Sequence, residues 1–130
     1  DPNYSLLVIA YDLSHLGEMK EEVINDFPQV QFTPSGSGKE ALAKLKELGD
    51  KFQAAGLKVH GATSSTWETV EAVRHEAQLA FPWLVAEGIM LKTIVRANPG
   101  VVLLKQGVVI GKWHHNDLPN FEEMQADYMN

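Results

Sequence analysis

The chain has 130 residues, a net charge of −6 and no cysteine, and these three facts exclude several functions. Without thiols it has no disulfides, no thiolate metal site and no dithiol exchange, because the thiolate is the nucleophile in that chemistry. The acidic balance, with no basic run of five or more residues, argues against a nucleic-acid partner or an anionic membrane surface, since both need a basic face. The length suits a single domain over residues 1–130, large enough to bury roughly two thirds of its unfolded surface.

In chain order, LLVIAY at positions 6–11 is a short apolar run that suits a strand covered on both faces. SHLGEMKEEVINDFP follows, with Leu16, Met19, Val23 and Phe27 at helical spacing, which predicts a helix stopped by Pro28. QVQFTPSGSG alternates briefly and then reads as a Pro/Ser/Gly loop. Leu42, Leu45, Leu48, Phe52 and Ala55 recur every three or four positions and predict a long amphipathic helix. Ser37 and Glu40 have capping-box spacing at its start, and Gly56 is placed to end it.

LKVHGATSS predicts a strand with Leu57, Val59 and Gly61 on one side and Lys58 and His60 on the other. Ser65 and Glu68 repeat the capping-box spacing, and Val70, Val73, Ala77 and Phe81 carry a second helix to Pro82. WLVAEGIMLKTIVRA reads as part strand and part short helix. Residues 101–104 and 108–113 are strands joined at Gln106-Gly107, where Gly favours the positive φ of a tight turn. NFEEMQADYMN predicts a terminal helix capped by Asn120, with Phe121 and Met124 facing inward. No apolar stretch reaches the roughly 18 residues of a spanning helix. The opening Asp1-Pro2, without an initiator Met or an apolar leader, suggests a processed fragment.

Strands separated by helices imply parallel pairing through right-handed crossovers, and the closing hairpin adds antiparallel strands. The expected class is α/β, a mixed sheet with helices on both faces. This order, with NPGVVLLKQGVVIGKW, resembles the thioredoxin fold, whose pattern is a proline, a short apolar strand, a Lys-x-Gly turn and a second strand. The likeness runs from Leu6 to about Met124. It implies a thioredoxin-like three-layer sandwich with a mixed central sheet and a closing antiparallel hairpin. It also implies a cis bond at Asn98–Pro99, with Asn98 in the place that offers its backbone to an extended peptide or thiol substrate.

YDLSHLG, positions 11–17, stands where that family carries Cys-x-x-Cys, and here the cysteines are missing. The fold is expected without the thiol chemistry, which excludes cysteine-based reductase, isomerase and peroxidase activity. LLVIAYDL, LKVHGATSS and LKTIVRANPGVVLLKQGVVIGKWHHNDLP are together similar to a cysteine-free thioredoxin-like region at the C-terminal end of some bacterial DoxX-like membrane proteins. That resemblance implies a soluble part of a larger, membrane-embedded chain.

SGSGK, positions 35–39, lacks the P-loop pattern, because Thr33 and Glu40 occupy its first Gly and its Ser/Thr positions. It reads as a connector and helix cap. In WHHND, positions 113–117, adjacent His114 and His115 at a strand end should point to opposite faces, so they chelate poorly alone. A metal-dependent enzyme built on His114, His115 and Asp117, with His15 or His60 approaching, is the alternative function. His75, Glu71 and Glu76 read as a solvated helix face. Ser14 and His15 are neighbours, Ser64 or Ser65 is better explained as a helix cap, and no Gly-x-Ser-x-Gly elbow occurs, so no catalytic residue and no cofactor are assigned. Tyr11 and Asp12 lie at the carboxyl end of the first strand, where open α/β sheets place ligands. The expected binding residues are therefore Tyr11, Asp12, Asn98 and Pro99, and the expected partner is a protein or peptide segment.

Overall fold

The computed structural model describes residues 3–129. Strand β1 (Tyr4–Ile9) leads through a 3₁₀ turn (Leu13–Leu16) into β2 (Gly17–Ile24) and β3 (Phe27–Pro34). Then come α1 (Gly36–Ala54), β4 (Lys58–Thr63), α2 (Trp67–Ala77), β5 (Trp83–Val85) and α3 (Gly88–Ile94). The chain closes with β6 (Gly100–Lys105), β7 (Val108–His114), a second 3₁₀ turn (His115–Asp117) and α4 (Phe121–Tyr128). The main sheet has the order β5-β4-β1-β6-β7, and β2 and β3 form a separate two-stranded sheet.

β1 pairs parallel with β4 and antiparallel with β6, so the sheet is mixed. The hydrophobicity of β1 and β6 is continuous because both strands are covered on both faces. Leu6, Val8, Val101 and Leu103 join one core with Leu42, Leu45, Leu48 and Phe52 of α1, Val70 and Val73 of α2, and Met124 of α4. On the opposite face Ile9 and Val102 pack with Ala62 and with Leu91 of α3. The result is three layers, helices over sheet over helix. Each fully buried large side chain contributes about 1.5–3 kcal/mol. Phe52 holds α4 as well, through an edge-to-face contact with Phe121 at 5.3 Å. α4 starts as the sequence predicts, with Asn120 and Glu123 forming a full capping box.

The expected helix up to Pro28 is instead the hairpin β2–β3. Asn25 and Asp26 have φ of 53° and 67°, the left-handed pair that a two-residue hairpin loop requires. Hydrogen-bond parity explains how a strand accommodates two prolines. Ser35 N donates to Leu16 O at 2.9 Å, so the bonded pairs continue as Glu18–Thr33, Lys20–Gln31, Glu22–Gln29 and Ile24–Phe27. Pro28 and Pro34 fall at the alternate, outward positions, where a missing N–H breaks no rung. The helical spacing of Met19 and Val23 is equally a two-residue period. Met19 and Phe32 are cross-strand partners on the face that packs against the core.

Two caps also differ from expectation. Ser35, not Ser37, caps α1, accepting from Gly38 N at 3.0 Å. The hairpin delivers Ser35 to Leu16 O and so starts the helix early, and Ala55 ends outside it, exposed. Thr66, not Ser65, caps α2, because the Ser65 hydroxyl accepts from Leu13 N at 2.9 Å instead. α2 stops at Ala77, where Gln78 takes a left-handed φ of 56°. Phe81 is buried beyond the helix, beside Trp83. Asn130, the end of the predicted terminal stretch, and Asp1-Pro2 lie outside the described residues.

Gly61 in β4 is required by packing, since a Cβ there would collide with the Trp83 indole. Gly61→Ala should destabilise the domain by about 1–3 kcal/mol through overpacking, read as a lower urea midpoint with an unchanged slope.

Candidate functional site

The carboxyl ends of β1 and β4 lie together because the two strands are parallel. β6 runs antiparallel to β1 with Ile9 opposite Gly100, so the residues just before β6 meet those just after β1. This register brings Tyr11, Asp12, Asn98 and Pro99 to one corner, where the Asn98–Pro99 bond is cis and Pro99 is buried.

The Asn98 side chain fastens the corner. Its Nδ2 donates to Asp12 O at 2.8 Å, and its Oδ1 accepts from Asp12 N at 3.3 Å, across 86 residues of sequence. This reciprocal pair occupies both backbone groups of Asp12. A second strut comes from the loop after β4. Ser64 N donates to Tyr11 O at 3.1 Å, the Ser64 hydroxyl also donates to Tyr11 O, and the Ser65 hydroxyl accepts from Leu13 N. Buried Thr63 supports that loop by accepting from Ser65 N at 3.1 Å. Lys92 of α3 lies 4.7 Å above the Tyr11 ring, within cation–π range. The sequence offers no local sign of Ser64, Ser65 or Lys92 as site residues, since the hydroxyls read only as helix caps.

Asp12 itself caps the 3₁₀ turn. One carboxylate oxygen accepts from Ser14 N at 3.0 Å and from the Ser14 hydroxyl at 2.5 Å, and the other lies 3.1 Å from His15 Nε2. The carboxylate thus stands between hydroxyl and imidazole. A nucleophilic serine needs the imidazole as its own base, so this order gives Ser14 no such activation. By contrast, the N–H groups of Arg96, Ala97 and Asn98 meet no backbone carbonyl among the described residues. The corner therefore has its side chains engaged and a stretch of main chain left open.

The histidine cluster departs from expectation. β7 ends at His114 and the chain turns there, so the two rings lie side by side, 4.2 Å apart, instead of on opposite faces. His114 Nδ1 accepts from Asn116 N at 3.0 Å. His15 is engaged with Asp12, while His60 lies in β4 opposite Leu7 of β1. Among the described residues, no three His, Asp or Glu side chains converge on a metal position. Partial burial, then the charges of His114 and Lys44, hold His115 below its ordinary pKa. SGSGK forms the start of α1, with Lys39 N donating to Ser35 O. His75 is exposed on α2.

No protein-family model matches the chain, and no curated protein matches it. Solved structures do. A thiol:disulfide interchange protein from Bacteroides sp. superposes with a TM-score of 0.60 at 10% identity, covering 99% of this chain and 75% of that one. The thioredoxin domain of a thiol-disulfide oxidoreductase from Bacteroides vulgatus gives 0.61 at 11%, covering 99% and 81%. The bacterioferritin comigratory protein of Xanthomonas campestris gives 0.51 at 12%, covering 96% and 75%. At these identities the likeness concerns the fold, which is thioredoxin-like. The chain has no cysteine with which to share those proteins' thiol chemistry.

Asn98→Ala would leave the half-buried N–H and C=O of Asp12 without their partner, and should cost about 1–3 kcal/mol in chemical denaturation. For His115, the folded state takes up a proton at lower pH than the unfolded chain, whose value is the ordinary 6.5. Its contribution therefore falls as pH drops through that value, because the unfolded state then binds more protons. Between about pH 7.5 and about pH 5.5, His115→Gln should lose less of its urea midpoint than the parent protein.

Proposed function

We propose that this chain is a thioredoxin-like binding module without thiols, whose Tyr11–Asp12 and Asn98–Pro99 corner holds an extended segment of a partner protein by backbone pairing. One observation carries the reading. The Asn98 side chain occupies both backbone groups of Asp12, while the main-chain N–H groups of Arg96, Ala97 and Asn98 meet no backbone carbonyl among the described residues. An extended segment has carbonyls to offer such a stretch. Its side chains would find apolar neighbours, since Ile89 and Met90 are exposed on the first turn of α3. That turn is close to the corner: Gly88 abuts Ser64, which bonds Tyr11.

In this reading a groove used for thiol substrates elsewhere in the fold serves recognition. A tether to a membrane-embedded parent chain belongs to the same proposal and rests on the DoxX-like resemblance. No helix among the described residues is long and apolar enough to cross a membrane, so the span would come from outside them.

A panel of extended apolar hexapeptides, titrated against ¹⁵N-labelled protein, tests the site. Shifts should concentrate at Tyr11, Asp12 and the three residues before Pro99, and Asn98→Ala should weaken binding by about tenfold, or 1.4 kcal/mol. A panel that moves no signal there, or an Asn98→Ala protein that folds and binds as the parent does, would remove the proposal.

A further inference from the structure

The two faces of the main sheet are covered unequally. On one face α1, α2, α4 and the inner side of the β2–β3 hairpin enclose the larger core. On the other, among the described residues, lies α3 alone, a helix of seven residues whose Leu91 packs with Ile9, Ala62 and Val102. Strand alternation puts Leu7, Leu104 and Val109 on this second face, nearer the start of β1. Leu7 and Leu104 are half-buried there, and Val109 is 46% exposed. Lys58 of β4 and Lys112 of β7 are exposed on the same face and flank the strip. Lys112 Nζ donates to Ile94 O of α3 at 2.7 Å, which holds its charge in place. The chain around the strip is basic as well: from Gly88 to Asn116 it has four Lys or Arg and no Asp or Glu.

The tip of the β2–β3 hairpin has the opposite charge. Met19 and Phe32 hold the base of the hairpin on the core, and Val23 lies about 13 Å farther out at strand rise. At that distance Val23 and Phe27 are 71% and 69% exposed. They occupy adjacent rungs, so their side chains leave opposite faces of the ribbon. Glu21, Glu22 and Asp26 surround them, with Lys20 3.6 Å from Glu22. Asn25 and Asp26 close the turn in left-handed conformations, so the tip is a preformed knob, apolar at its end and acidic at its rim.

We propose that the hairpin tip of one copy docks on the Leu7, Leu104 and Val109 strip of a second copy, with Glu21, Glu22 and Asp26 meeting Lys58 and Lys112. The apolar contact supplies the affinity and the charges choose the partner surface, since single exposed ion pairs add little. The net charge of −6 opposes the approach at long range. At physiological salt that repulsion is screened beyond about 8 Å, whereas the paired groups lie within it. The hairpin packs on one side of the sheet and the strip lies on the other, so a copy does not reach its own strip. The contact is therefore head-to-tail and builds rows or rings of copies. Symmetric pairs are disfavoured, because tip on tip sets carboxylates together and strip on strip sets lysines together. Both surfaces are small, so the association is weak and depends on concentration. The strip lies towards the opposite end of β1 from the corner at Asn98, and either site can stand without the other.

The test is complementation between two variants. In the parent protein, ¹⁵N spectra over a roughly hundredfold dilution should move two groups of amides together, residues 21–27 and the strip at Leu7, Leu104 and Val109. Val23→Ser with Phe27→Ser removes the tip, and Lys58→Glu with Val109→Ser removes the strip. All four side chains are exposed, so both proteins should fold. Each variant alone should self-associate about tenfold more weakly or less. Mixed, they should bind each other, because the tip variant keeps its strip and the strip variant keeps its tip. The labelled tip variant should then shift at Leu7, Leu104 and Val109 and not in its hairpin, and sedimentation should stop at a pair. Three results overturn the proposal: no change on dilution, movement of one group of amides without the other, or no binding between the variants. The first would leave both surfaces to a different protein, and the second would mean a symmetric contact.

Discussion

The antiparallel register of β1 against β6 is the constraint on which the rest depends. Pairing Ile9 with Gly100 sets the loop after the first strand beside the residues before the sixth, and the Asn98 side chain then occupies both backbone groups of Asp12. A shift of one residue would reverse every side chain of β6 between the two cores. Val101 and Leu103 belong to one core and Val102 to the other, so packing on both faces holds the register. The corner is a consequence of core packing, and its geometry needs no help from the groups that would bind there.

The segment after β1 forms a 3₁₀ turn followed by a hairpin. Asp12 caps the turn, Leu13 and Leu16 bury, and Leu16 O receives the Ser35 N–H that begins α1. Gly38 keeps this junction tight, because any Cβ would strike Leu16 O. The β2–β3 hairpin packs its Met19 and Phe32 face against the core. Its tip is left exposed, with Val23 and Phe27 both about 70% accessible.

Much of the fold was legible. β1, α1, β4, the β6–β7 hairpin and α4 follow from runs and periods long enough to speak for themselves, and the mixed sheet follows from their order. The hairpin at 17–34 was not, for two reasons. Met19 and Val23 satisfy a helical period as well as a two-residue one, Phe27 extends the apparent helix across what is a turn, and Pro28 looks like a stop unless the ladder parity is known. Caps were misplaced for a related reason. Ser35 and Ser37, or Ser65 and Thr66, are equivalent as local donors and acceptors, and a distant partner chose between them. The candidate corner was legible only as a resemblance, since nothing near Asn98 in sequence mentions Asp12.

The sequence by itself determined the chemistry that is missing and the elements that are strongly periodic. A chain without cysteine has no thiolate, and the spacing of Leu42, Leu45, Leu48 and Phe52 favours one amphipathic helix in any setting. The tertiary structure decided which residues meet: Asn98 with Asp12, and Ser65 with Leu13. The physical reason is range. Propensity and capping act over a turn or two of chain, whereas partners 52 or 86 residues apart are selected by sheet register and by the packing of both faces at once.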